Sequence, residues 1–234
     1  MVPVLHQRAR VDRGGPVSEL GAAFLEFVDR VHAAHGYETD FWRLAASLDI
    51  PVAPGPFSST VSLPRTVITL EEGVYRSERT FVKMHEVSHA LLRDSGIETE
   101  LRWQADSPED FRAQVEAYCN YGAAQLQMPG PLLDEALRRY GVSPGAVLHL
   151  AEVSRTSLPV AMRRLVYGRL EPDAHRAAFV TQRSYVRDVA SANIALDFGV
   201  GTRIPEIALR RQDARLRRVP REYGTGLTLG TVAW

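Results

Sequence analysis

The chain has 234 residues, 45% of them hydrophobic and 24% charged, which is enough apolar material for one large core or two to three small ones. Acidic and basic residues cancel at 28 each, so the chain as a whole has no electrostatic pull toward DNA or an anionic membrane, and any nucleic-acid role must be local. The single cysteine, Cys119, excludes an internal disulfide framework, and no apolar run approaches the roughly 18 residues of a membrane span. The N-terminal MVPVLHQRARVDRGGPVSEL carries no apolar core of a secretion signal, so a soluble, cytoplasmic protein is expected. Lys83 is the only lysine, a bias we attribute to GC-rich coding.

In chain order, Leu20, Phe24, Phe27, Val28 and Val31 recur at helical spacing behind Ser18, an N-cap residue type, and predict a helix over 20–34 that Gly36 ends. Phe41, Leu44, Ala45 and Leu48 predict a second over 40–48, closed by Ile50-Pro51. The Pro/Gly/Ser-rich stretch 51–59 reads as a loop. The β-branched runs 61–63 and 66–70 read as extended structure, a hairpin or two edge segments, with Glu72-Gly73 as the following turn. From Ser77 to Arg93 no glycine or proline interrupts a helix.

That helix contains His85-Glu86-Val87-Ser88-His89. Residues four apart lie on one helical face about a turn apart, so two imidazoles can reach one metal ion while the Glu86 carboxylate flanks it. Phe81 and Leu92 continue the stripe and put the histidines at the edge of a buried surface. Five residues can match by chance on an ordinary helix, so the reading needs a third ligand, because a catalytic zinc takes three protein ligands and keeps a position open for water. Glu98, Glu100, Asp106, Glu109 and Asp110 fall in a polar stretch around Pro108 and read as solvated loop or helix start. Glu116 lies within a helix over 111–126 whose Ala113, Ala117, Ala123 and Ala124 permit close packing; the bland alternative is an exposed acid facing Arg112. Asn120, one turn further on, is placed to support a ligand histidine by a hydrogen bond. Cys119 is read as a small core residue, with a redox-sensitive alternative ligand as the sharper possibility.

The His-Glu-x-x-His-Ala-Leu-Leu run, followed 27 residues after its second histidine by Glu-Ala-x-x-Asn-x-x-Ala-Ala-x-Leu-x-Met-Pro, resembles the ImmA/IrrE metallo-endopeptidases over about residues 20–130. The resemblance implies His85, His89 and Glu116 as ligands of Zn2+ and Glu86 as catalytic base. It also implies cleavage of a helix-turn-helix transcriptional repressor inside a bacterial cell, releasing stress or DNA-damage genes. Two positions depart from the family pattern: Ser88 stands where glycine is frequent, and Tyr121-Gly122 where an aromatic-alanine pair is usual. These departures bear on substrate fit rather than on ligand geometry.

After Pro129, helices over 132–140, 146–151 and 157–166 resemble a helix-turn-helix, in which Arg155, Arg163, Arg164 and Arg169 are candidates for weak DNA contact; the bland alternative is a brace for the metal site. From about Glu171 alternating β-branched runs at 178–181, 184–187 and 194–198 predict strands, and the tail holds Arg210, Arg211, Arg215, Arg217, Arg218 and Arg221 against Asp213. The expected architecture is α+β: a mainly helical zincin-like peptidase domain with a small β-sheet over 1–130, a helix-turn-helix-like domain over 131–170 and a β-rich sensor or docking domain over 171–234. This layout resembles the radiation-response IrrE proteins of Deinococcus. Tyr75, Tyr118, Tyr121 and His149 are candidates for stabilising an oxyanion. The competing reading is a DNA-binding or repressor-binding regulator with a structural or vestigial metal site, against which a base beside an open metal position argues.

Overall fold

The computed structural model describes residues 18–61, 64–78, 80–168, 174–204 and 214–233. Helix α1 (Glu19–Ala34) starts where the Ser18 hydroxyl accepts the Gly21 amide at 3.0 Å, and it buries Phe24, Val28 and His32 on one stripe. Helix α2 (Phe41–Ser47) is capped by Asp40, whose carboxylate accepts the Arg43 amide at 3.0 Å. The expected loop over 51–59 is in part strand β1 (Val52–Gly55), which runs parallel to β3 (Val67–Glu71), while β2 (Ser59–Val61) flanks β3 on its other side, antiparallel. Prolines at 51, 54 and 56 hid β1 from a periodicity reading. Its structure comes from the partner strand, through pairs such as Val52 with Ile68. The turn expected at Glu72-Gly73 is the first part of a one-turn helix, α3 (Glu72–Tyr75).

Helix α4 (Thr80–Asp94) carries the histidines and packs against α6 (Pro108–Gln127), which Ser107 caps through the Asp110 amide at 3.1 Å. Between them, part of the stretch expected as loop forms α5 (Ile97–Gln104), because Ile97 and Leu101, four apart, are both buried against the same core. Gly96, at φ +77°, takes the left-handed turn that separates α4 from α5. Met84, Val87, Ala90 and Leu91 of α4 meet Tyr118, Cys119, Ala123 and Leu126 of α6 in one core with α1 and the first sheet.

The α4–α6 contact explains both departures from the family pattern. A Cβ on Gly122 would overlap the Ser88 hydroxyl and lie 3.0 Å from Phe24 Cε1, so a serine at 88 fits because 122 carries no side chain. Helix propensity alone favours alanine over a mid-helix glycine by about 1 kcal/mol, but the overlap opposes it. Gly122→Ala is therefore expected to lower stability by about 1–3 kcal/mol. Ser88→Gly in the same chain should recover part of it, the Phe24 contact remaining, with a coupling of about 1 kcal/mol between the two sites in a denaturation double-mutant cycle. Additive effects would sink this account.

His32 gives the same half a pH dependence. Its Nε2 lies 2.8 Å from the Glu38 carbonyl, its Nδ1 is buried without a partner among the described residues, and burial holds the imidazole below its ordinary value of 6.5. The unfolded chain takes up a proton near pH 6.5 and the folded chain only at lower pH. His32 thus withdraws stability as pH falls below that value, until its native pKa is passed. Urea midpoints measured at about pH 7.5 and about pH 5.5 should fall less in His32→Gln than in the wild type.

Helices α7 (Gly130–Tyr140), α8 (Pro144–Val153) and α9 (Leu158–Tyr167) follow the expected spans closely. A second sheet holds β4 (Arg176–Gln182), β5 (Tyr185–Ala192), β6 (Arg215–Arg218) and β7 (Leu227–Ala233) in the antiparallel order β5-β4-β7-β6. The run 194–198, expected as a strand, is not one. Ile194, Leu196 and Phe198 instead cover the outer face of this sheet over Ala177, Phe179 and Val232. The basic tail supplies edge strand β6, whose arginines are exposed, while Arg210, Arg211 and Asp213 lie outside the described residues.

A single core joins α7–α9 to β4, β5 and β7, crossing the boundary expected near residue 170. Helix α9, the one a helix-turn-helix would lay in a DNA groove, is sandwiched between α6 and this sheet, and none of its residues is fully exposed. Two of the arginines considered for phosphate contact are already engaged. Arg163 forms a two-pronged pair with Asp188 at 2.8 and 3.1 Å, and buried Arg164 donates to the Met128 carbonyl at 2.7 Å. Arg155 is exposed, and Arg169 lies outside the described residues. The DNA contact expected of this unit thus lacks a free recognition helix. Among the described residues no helix is long and apolar enough to cross a membrane.

Candidate metal centre

His85 and His89 project from successive turns of α4 with their Nε2 atoms 3.1 Å apart and their rings edge to face at 81°. Glu116 reaches them from α6: one carboxylate oxygen is 3.2 Å from His85 Nε2 and the other 3.6 Å from His89 Nε2. The ligand atoms of the three residues all fall within 4.8 Å of one another, the arrangement a single metal ion requires. The histidines are mostly buried, whereas the Glu116 side chain is 59% exposed, so the cluster lies at the mouth of the α4–α6 contact. Burial first, and then the neighbouring His85, push His89 down to about 4. It is therefore neutral at physiological pH and has a lone pair to offer a metal.

Glu86, on the adjacent face of α4, is 6% exposed, and burial raises its carboxyl above the usual range. Its Oε2 and its own carbonyl both accept from the Thr60 hydroxyl at 2.9 Å, so β2 clamps the carboxylate in one orientation. The Thr60 carbonyl in turn accepts from Arg93 at 2.9 Å, tying β2 to the end of α4. Sequence reading missed Thr60 and Arg93. Nothing in a lone threonine 26 residues before Glu86 announces the contact; the hairpin expected around it was the only available signal.

Among the acids set aside as solvated, Glu98 pairs with Arg93 and Arg102, Glu109 with Arg112 at 2.6 Å, and Asp110 accepts from Gln114 at 2.9 Å. Arg112 thus turns to Glu109 rather than Glu116. Asn120 is exposed, and no hydrogen bond joins it to either histidine. His85 Nδ1, the atom such a bond would serve, is buried without a partner among the described residues. Cys119 is fully buried, beside Ser88, and burial pushes its thiol up, so it sits as core and outside the metal cluster. The four oxyanion candidates are spread over different contacts. The Tyr118 hydroxyl bonds Ser18 at 2.6 Å, Tyr75 packs on Trp42, Tyr121 on Tyr167, and His149 beside Tyr140 and Glu135.

Known proteins are similar to this chain in sequence or in fold. A radiation response metalloprotease IrrE of Deinococcus deserti is 29% identical over 156 residues, which are 60% of this chain and 54% of that protein. The radiation response metalloprotease IrrE of Deinococcus radiodurans is 30% identical over 100 residues, 42% of this chain and 30% of that protein. The matched part of the chain thus spans about half the length of these relatives or less. A Mycobacterium tuberculosis transcriptional regulator shares the fold with a TM-score of 0.57 over 89% of this chain and 75% of its own, at 12% identity. Residues 45–165, which span α4, α6 and the whole cluster, match the IrrE N-terminal-like domain, and the chain belongs to that family.

Proposed function

We propose that this chain is a zinc-dependent endopeptidase in which His85, His89 and Glu116 hold the metal and Glu86 is the base. The observation that carries the reading is the triangle of donor atoms with a buried carboxylate next to it. The two imidazole nitrogens lie 3.1 Å apart, and one Glu116 oxygen is 3.2 Å from His85 while the other is 3.6 Å from His89, close to the donor–donor spacing of roughly 3.3 Å that tetrahedral zinc with bonds near 2.0–2.1 Å requires. Two imidazoles and one carboxylate also form the donor set of catalytic zinc sites, in which a fourth position stays open.

Zinc at this site supplies Lewis-acid polarisation of the scissile carbonyl and lowers the pKa of an attacking water toward 7. Glu86 supplies the proton transfer. Thr60 occupies Oε2, which leaves Oε1 to accept the water proton and hand it to the leaving amine nitrogen. Burial raises the Glu86 carboxyl above its ordinary value, which favours a group that must first take a proton and then release it. The α4–α6 core fixes both sides of the triangle, since each ligand stands on a helix whose opposite face is packed.

For substrate we propose a helix-turn-helix transcriptional repressor, cut in the cytoplasm to release stress or DNA-damage genes. The support is the family and its Deinococcus relatives, which are radiation response metalloproteases. The test mixes the purified chain and zinc with the repressor encoded beside its gene and follows fragments by mass spectrometry. Zinc-dependent cleavage that a chelator stops is expected; an intact repressor under these conditions removes this substrate. The competing reading, a non-proteolytic DNA-binding or repressor-binding regulator, is disfavoured by the buried α9 and by the clamped Glu86.

A further inference from the structure

A second cleft of about 370 Å³ opens far along the chain from the metal cluster, between the end of the four-stranded sheet and the Gly141–Val142 link from α7 to α8. Its floor follows from strand register. Strand β7 lies between β4 and β6; Thr231 stands opposite Arg215 of β6, and its neighbour on the same face, Ala233, stands opposite Arg176 of β4. Opposed residues share a face, and Ala178, opposite Thr231, belongs to the core under the helices. Arg176, Arg215 and Thr231 therefore all project toward the helical layer. Arg215 Nη1 lies over Gly141, where a Cβ would stand 3.9 Å away, so the absent side chain keeps the cleft open.

Thr231 is the observation that points to a ligand. It is 1% exposed, it lines the cleft, and its hydroxyl has no hydrogen-bond partner among the described residues. Buried hydroxyls are almost always paired, so an unpaired one on a residue that lines a cleft marks a place for a ligand atom. Arg215 forms no ion pair among the described residues, Arg176 directs one nitrogen to the Gly168 carbonyl at 2.9 Å, and His175 adds an imidazole to the wall. None of the described lining residues is acidic.

We propose that this cleft binds a small organic phosphate monoester, its phosphate held by Arg215 and the Thr231 hydroxyl within the field of Arg176. Donors that converge from three strands suit a tetrahedral anion with several oxygens better than a planar carboxylate. The volume lies within the range of small-molecule pockets, and Val142 and the alanines beside it offer apolar wall to an organic body. The proposal is independent of the peptidase reading.

Isothermal titration of the full chain with adenosine monophosphate, inorganic phosphate and adenosine tests it. Saturable binding of the monophosphate and none of adenosine is expected, with affinity about tenfold lower or worse in Arg215→Ala and in Thr231→Val. Thr231→Val removes an unpaired hydroxyl, so its unfolding temperature should equal or exceed that of the wild type, which separates lost binding from lost fold. Inorganic phosphate binding as tightly as the monophosphate supports the same chemistry with the anion alone as ligand. Equal binding of adenosine, no binding of either anion, or unchanged affinity in the double variant Arg215→Ala/Thr231→Val overturns the proposal.

Discussion

Glu86→Gln is expected to keep its zinc and its fold while kcat/KM for an authentic substrate falls by about 10²–10⁴-fold, the usual contribution of a positioned general base. The amide has the shape of the carboxylate, and its oxygen can still accept from the Thr60 hydroxyl, so the clamp to β2 survives. What it cannot do is take a proton from water. Paired assays of zinc content and cleavage rate decide the matter. Undiminished cleavage by the variant would show that another group is the base, and loss of zinc along with activity would show that Glu86 supports the metal rather than the proton transfer.

The second large effect concerns the ligands themselves. His85→Ala, His89→Ala and Glu116→Ala should each weaken zinc binding by more than about 100-fold, since even the outer partners of metal ligands are worth about 10–100-fold. Glu116 is the most informative of the three. Its side chain is 59% exposed, so its removal costs the fold little, and the loss of zinc reads ligation directly. Glu109→Ala and Asp110→Ala are the controls, because these acids are spent on Arg112 and Gln114. Zinc should raise the unfolding temperature of the wild type and of both controls, by mass action on the folded state, and leave Glu116→Ala unmoved. Full zinc in Glu116→Ala, or its loss in either control, would move the third ligand elsewhere.

The residues that converge here differ in how far their geometry depends on the rest of the chain. The spacing of His85, Glu86 and His89 is a property of one helix: residues four apart share a face whatever surrounds them, so the pair could be read from the sequence. The helices α1, α2, α4 and α6–α9 were readable for the same reason, since their apolar stripes and capping residues are local. The strands were less so. β1 and β6 exist because a partner strand satisfies their backbones, and neither Val52–Gly55 nor Arg215–Arg218 has a side-chain pattern that announces it. α5 was hidden by its charged surface, with only Ile97 and Leu101 marking its buried side.

By itself, then, the sequence determined that His85 and His89 share one helical face with Glu86 beside them, the family pattern that singles out Glu116 and the order of the main helices. Only the tertiary structure decided that Thr60 and Arg93 hold Glu86 to β2, and that Ser88 and Gly122 are two halves of one packing solution. It alone showed α9 buried instead of presented to DNA, and Arg176, Arg215 and Thr231 gathered on one sheet face. The physical reason is common to all of them. Helical periodicity is set by bonds four residues apart, whereas a hydroxyl on a carboxylate, a missing methyl under a serine or an arginine across a strand pair depends on chain segments that meet only when the core closes.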